Sequence, residues 1–370
     1  MRPRFAMKLS VPFIPDNNYA GFLAGQKKIL SSTYFPLPLD PLHPESRSFD
    51  ARVKISAHQQ HKDLPALIRS LGPVRHIKKY ILINTRFLPP AIYTDKGILV
   101  RFLDRVAHLH QTVGIQGLVV SDLYLVNALE RTGHDIIPLL EAVPGVNTMM
   151  DSMEKIQAWL ELLEPTRFAL PGRLILDRSL NRSPEKLNTL YQQIKSILPG
   201  ICIELLANEG CIFHCPFKPA HDAHIALSNT GLVKESTWMM NQTLGCHAYF
   251  NTHPHKFFKS PFIRPEDVDR YQGMADTIKI CGRTLGTTFL RKCIKAYATR
   301  SFKGNLLEIM DAAGFLAQRF YIENPALGPD FFKHLTTCTK ECKPCRICNT
   351  LFEKAVDEKP IGLTHFKDIQ

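Results

Sequence analysis

A chain of 370 residues, 45% of them hydrophobic, can bury one large barrel with an appendage, or two domains, without disulfide staples. Its 46 Lys and Arg against 34 Asp and Glu leave a formal charge of +12, scattered along the chain, which suits a basic enzyme with an anionic partner such as RNA, a phosphorylated metabolite or a dicarboxylate. Ten cysteines without a secretory apolar segment point to a reducing cytoplasm, where clustered thiols bind metal, and no run of about 18 apolar residues offers membrane insertion.

Short β-like runs alternate with helix-like runs, the pattern of parallel strands joined by crossover helices. Strands are expected at 5–12, 51–56, 80–85, 117–122, 145–151, 173–178, 202–208 and 277–282, the eight that an α/β, TIM-like (β/α)8 barrel needs. The segment 16–46, rich in Pro, Gly and Tyr, reads as an irregular loop after the first strand. Apolar residues three and four apart predict helices over 98–113, 123–131, 153–163 and 184–198. Ser183 before Pro184 marks a helix start, an N-cap followed by proline in the first turn. The barrel is expected to occupy 1–300, with a Cys/His-containing insertion at about 211–264, and 301–370 to form a helical Cys-rich C-terminal extension.

Catalytic groups of such barrels sit at the C-terminal strand ends. Several expected strands end in polar residues: Asn84, Asp122, Asp151, Asp177 with Arg178, Asn208 with Glu209, and Arg283. Any one acid could merely cap the following helix, but recurrence at the same end of successive strands suggests a site. Glu204, Asp122 and Asp177 are candidate acids or bases. Arg264 and Arg283 are candidate clamps for carboxylate or phosphate, which a guanidinium grips in a bidentate way. Arg264 also has a plainer reading, because Arg-Pro-Glu-Asp resembles a helix start with Pro265 in the first turn.

Two groups of cysteines stand out. Cys211 and Cys215 form a C-x3-C pair directly after the seventh expected strand, and Cys246 is a candidate third ligand in the same insertion. The fourth is open among Cys281, His214, His221 and a thiol from the tail. Near the C-terminus, Cys338, Cys342, Cys345 and Cys348 follow the spacing C-x3-C-x2-C-x2-C, which lets one loop wrap a single centre. An iron–sulfur cluster suits that density, while structural zinc more often uses two separated C-x2-C pairs. Cys202 and Cys293 read as ordinary core positions.

The run Glu204-Leu-Leu-Ala-Asn-Glu-Gly-Cys211 with Cys215, then Ser260-Pro-Phe-Ile-Arg264-Pro265-Glu266-Asp267, Ile278-Lys279-Ile-Cys-Gly282-Arg283, Ala296-Tyr297 and Gly304-Asn305-Leu306 resembles the U-32 peptidase family, the collagenase-like group. The resemblance spans most of the chain and implies a TIM-like barrel. It further implies a 4Fe-4S cluster, with Cys211, Cys215 and Cys246 at matching ligand positions, and oxygen-independent hydroxylation of a ubiquinone precursor or an RNA base. Other members carry an old protease assignment. Two departures matter: the upstream G-x-C-x-x-S segment is absent, and the four-cysteine tail is an addition, so the chain holds one or two metal centres.

Three functions compete. The first is an iron–sulfur barrel enzyme acting on an anionic or aromatic small molecule or on RNA. The second is a peptidase, for which neither an H-E-x-x-H helix nor a G-x-S-x-G elbow is present, leaving only a Cys215 and His221 pair. The third is a metal-stapled accessory protein that docks RNA or a protein partner, its centres structural and filled by zinc.

Overall fold

The computed structural model describes residues 7–37, 64–229 and 232–359. Eight strands form the central sheet: β1 Lys8–Pro12, β2 Leu30–Pro36, β3 Lys78–Ile83, β4 Ile115–Val120, β5 Glu141–Pro144, β6 Arg173–Ile175, β7 Cys202–Leu206 and β8 Thr277–Lys279. Their order is β5-β4-β3-β2-β1-β8-β7-β6, and every pairing is parallel. Because β1 pairs with both β2 and β8, the sheet curls round on itself. Between β5 and β6 the ring closes only through isolated bridges, Glu141 to Ala169 and Met150 to Leu176. The result is the expected TIM-like barrel, nearly closed and surrounded by helices.

Alternation along the strands builds two cores. Outward residues such as Leu9, Val11, Ile81, Leu118, Ile203 and Ile278 are buried in the main apolar cluster with the helices. Inward residues Tyr34, Tyr80, Leu82, Val119, Val143 and Ile175 form a separate cluster inside the ring. The helix Lys96–Val113 shows why the outer layer forms. It buries Ile98, Leu99, Phe102, Leu103, Val106, Leu109 and Val113 on one face; the Asp95 carboxylate accepts from the Ile98 N–H at its start, and Gly114 in the left-handed region ends it.

The strand and helix expectations hold in most places, the helix Met153–Leu163 to the residue. The second strand differs. It is Leu30–Pro36, inside the segment read as a loop, which also contains the helix Asn17–Gly25 capped by Asp16. The position expected for it, 51–56, lies outside the described residues. Ser32 and Tyr34 face the barrel interior, Ser32 donating to the Ser10 hydroxyl, so this strand lacks the apolar alternation that would reveal it. The fifth strand ends at Pro144, before the expected 145–151; Val146–Thr148 is a 3-10 turn closed by Met149 in the left-handed region. Proline at the strand end and the turn explain the shift. Pro184 opens its helix as expected, but the Ser183 side chain makes no capping bond.

The C-terminal extension adds β9 Phe320–Ile322 and β10 Val356–Glu358, an antiparallel pair, with the helices Phe331–Thr336 and Ile347–Ala355. It is therefore mixed rather than purely helical. Its residues Leu306, Phe320, Phe331, Leu351 and Ala355 join the same apolar cluster as the barrel helices, so the extension packs on the barrel. No helix among the described residues is long and apolar enough to cross a membrane.

Candidate functional site

A cavity of about 380 Å3 opens at the C-terminal ends of the strands, where Tyr34 of β2, Leu82 of β3, Val119 of β4, Ile175 of β6, Leu206 of β7 and Lys279 of β8 form part of its lining. Of the polar residues expected at strand ends, Asn84, Asp151, Asp177, Arg178, Glu209 and Arg283 line it, whereas Asp122 and Asn208 do not.

Several charges of the lining are paired. Arg178 donates to the Glu209 carboxylate, Arg86 lies 3.3 Å from Asp222, and Lys218 reaches Asp222 at 2.8 Å and the Asn147 side-chain oxygen at 3.1 Å. Lys218 and Asp222 share one face of the helix Lys218–Asn229, four residues apart. Burial pulls the Arg283 guanidinium down to about 10, against which Tyr34 and Asp311 favour its charge.

Asn208 explains one motif residue without chemistry. Its side-chain oxygen accepts from the Cys281 N–H at 2.7 Å and from the Cys281 thiol at 3.2 Å, while its amide donates to Cys281 and Ile309 carbonyls. It thereby ties β7, β8 and the start of the extension together beneath the cavity. The next glycine, Gly210, donates its N–H to the Asp311 carbonyl, and a Cβ there would come within 2.5 Å of Ala313. Gly282 is a second such position, at φ 107, where a Cβ would lie 2.2 Å from the Phe289 ring. Gly282→Ala is expected to lower stability by about 1–3 kcal/mol, through both overpacking and the left-handed backbone, read as a reduced denaturant midpoint.

The other sequence candidates lie in different surroundings. Asp122 caps the helix Leu123–Glu130 and accepts from the Tyr93 hydroxyl; burial raises its pKa, opposed by these bonds. Asp177 both lines the cavity and accepts from the Ser179 N–H at 2.8 Å. Glu204 is wholly buried inside the barrel, 2.5 Å from Arg173. Arg264 is not among the lining residues: it is buried away from the mouth, bound to Asp267 through two nitrogens at 2.8 and 3.1 Å, to the Gly328 carbonyl, and stacked on Phe331. The expectation of Arg264 as a substrate clamp therefore does not match its place. Lys218 and Lys279, both in the lining, were missed by sequence reasoning. Lys279 could have been found from its phase, since Thr277 two residues earlier must share its face of β8.

The thiols fall into two groups. Cys211 and Cys215 line the cavity, and Cys246, at the start of the helix Cys246–Thr252, is pushed up to about 11, by burial first and then by the neighbouring Cys215. In the tail, Cys338 and Cys342 both act on Cys348, whose pKa burial raises. Arg182 lies beside these three tail thiols, held by the carbonyls of Leu335, Phe258 and Ser260. All ten cysteines are free thiols. Their soft donor chemistry and grouping fit an iron–sulfur or zinc centre, although among the described residues no three donors converge on one coordination point. Cys281 is engaged by Asn208, and His247 stacks on Phe315 at 3.9 Å beside Trp238, its pKa lowered to about 4 chiefly by burial. Cys293 is fully buried and Cys202 contacts Thr277, in line with core roles.

No family model matches the chain. A solved structure of a U32 peptidase aligns with 76% of this chain and 95% of its own, at 12% identity and a TM-score of 0.45. An uncharacterized protease of Methanocaldococcus jannaschii is 27% identical over 292 residues, covering 77% of this chain and 81% of the relative. This chain is similar to the U-32 peptidases. The residues of the motifs that carry the sequence resemblance divide between the cavity lining, as with Cys211, Cys215 and Arg283, and the supports behind it, as with Asn208 and Arg264.

Proposed function

We propose that the chain is an iron–sulfur-dependent barrel enzyme of the U-32 peptidase-like kind, which hydroxylates or otherwise modifies a small anionic or aromatic molecule, or an RNA base, in the cavity. The observation that supports this most is the short 3-10 turn Arg178–Arg182. Burial raises the Cys215 and Cys348 thiols, and Arg178 opposes this at Cys215 as Arg182 does at Cys348, where it also lies beside Cys338 and Cys342. One turn thus offers a guanidinium to each group of thiols, the counter-charge that a thiolate-bound centre needs when removed from water.

Cys211, Cys215 and Cys246 would hold one 4Fe-4S cluster at the mouth, and Cys338, Cys342, Cys345 and Cys348 a second, with zinc the alternative at either place. A cluster at the mouth supplies one-electron chemistry beside the bound molecule. The chain's own residues bind and orient. Arg283 supplies positive charge in the lining, Tyr34, Leu82, Val119 and Ile175 exclude water, and Asp177 is the carboxylate placed to hold or release a proton. Free thiols throughout suit a reducing compartment such as the cytoplasm.

A peptidase is the second reading, favoured by the name of the archaeal relative and by Cys215 and His221 both lining the cavity. The test is iron, sulfide and zinc per chain after anaerobic purification of the intact protein and of Cys215→Ala and Cys345→Ala. About eight irons are expected, each variant losing about half. Zinc without sulfide would overturn the redox reading in favour of a metal-stapled accessory protein. Peptide hydrolysis by the metal-free chain, abolished in Cys215→Ala, would establish the peptidase.

A further inference from the structure

Three charged side chains meet inside the barrel: Arg173 of β6, Glu204 of β7 and Lys279 of β8. Arg173 donates through one nitrogen to Glu204 Oε1 and to the Ser32 hydroxyl, both at 2.5 Å, and lies 4.2 Å above the Tyr80 ring. That nitrogen satisfies one oxygen of Glu204. The other, Oε2, is buried without a hydrogen-bond partner, and Lys279 Nζ stands 3.8 Å from it. Lys279 is 6% exposed, lines the cavity, and rests its amine 3.4 Å from the centre of the Tyr34 ring. It donates no hydrogen bond to a described residue, although Arg173 already offsets the one nearby carboxylate.

We propose that Lys279 is a reactive amine of the cavity floor that condenses with the carbonyl of a small 2-oxo acid to form an imine. The site has what that reaction uses: an amine in the cavity lining that makes no hydrogen bond to a described residue and only a long ion pair, the carboxylate oxygen of Glu204 3.8 Å away, and Arg283 in the same lining to attract the acid's carboxylate. In the step, the lysine nitrogen attacks the carbonyl carbon and the carbon–nitrogen bond forms as the carbonyl π bond opens. The amine's two protons leave with the carbonyl oxygen as one water. Nothing is oxidised or reduced, and Glu204 Oε2 is the nearest base to relay a proton. Burial lowers the amine's pKa below the usual lysine value, against the pull of Glu204, which favours its charge, and Arg173 adds to the lowering.

The experiment is reductive trapping of the full-length protein, metal-loaded and metal-free, with pyruvate and sodium cyanoborohydride over a pH series, followed by peptide mapping. The adduct is expected on Lys279 first, at least about tenfold faster than on any surface lysine. Lys279→Arg, which keeps the charge, should abolish the fast phase; should that variant not fold, the map of the unaltered protein still decides. Adducts spread over surface lysines, or no adduct at Lys279, would overturn the proposal. Trapping requires no metal, so its failure leaves the iron–sulfur reading standing, and loss of that reading leaves this one testable.

Discussion

Replacing Arg264 by alanine is expected to destabilise the protein by about 3–5 kcal/mol in denaturant unfolding, while leaving ligand affinity at the cavity unchanged in the folded fraction. The side chain is 3% exposed and all three guanidinium nitrogens donate: Nε and Nη2 to the two Asp267 carboxylate oxygens, Nη2 also to the Gly328 carbonyl and Nη1 to the Asn324 carbonyl, while Phe331 covers the face. Truncation would leave Asp267, itself buried, as an uncompensated acid and unpair two carbonyls that join 264–267 to the extension. Burial already raises the Asp267 pKa despite Arg264, so loss of that cation pushes it further toward the neutral acid. An Arg264→Ala protein of normal stability with weakened anion binding would instead return Arg264 to the role of clamp.

Glu204→Leu is expected to cost a similar amount, about 3–5 kcal/mol, and more than Arg173→Met. Glu204 is the acid shared by two buried cations, Arg173 at 2.5 Å and Lys279 at 3.8 Å. Removing it leaves both buried cations unpaired, whereas removing Arg173 leaves Lys279 to face the carboxylate. The double variant should therefore recover part of the loss of Glu204→Leu, because it buries one unpaired charge rather than two. Denaturant midpoints of the three proteins give the ordering, and an Arg173→Met cost exceeding that of Glu204→Leu would show that Lys279 does not share the acid.

The barrel was legible because its outer positions obey a simple rule: residues such as Ile81, Leu118, Ile203 and Ile278 must face the helices, and they recur between amphipathic runs. What escaped was the inner face. Ser32 on β2, and Arg173, Glu204 and Lys279 on β6, β7 and β8, replace the apolar filling that a barrel core leads one to expect, and their charges offset one another there. The same cause hid β2 and made Glu204 look like a mouth residue. Arg178, Asp177 and Arg283 were legible as strand-end residues because a parallel barrel gathers those ends in one place. The pairing of Arg178 with Glu209, and the seat of Arg182 beside the tail thiols, depend on contacts between segments distant in sequence, which spacing does not encode.

The ring has seven continuous ladders and one junction, β5 to β6, made of single bridges. Glu141 reinforces that junction by accepting from the Gly172 N–H at 2.9 Å and the Tyr80 hydroxyl at 3.0 Å, so a carboxylate does part of what a ladder does elsewhere. Single bridges and side-chain fastenings yield before cooperative ladders, so this edge is where the wall is expected to loosen first. Met149 and Asp151 stand on the cavity side of it. Loosening at this one edge would widen the cavity of about 380 Å3 while the other strands stay in register.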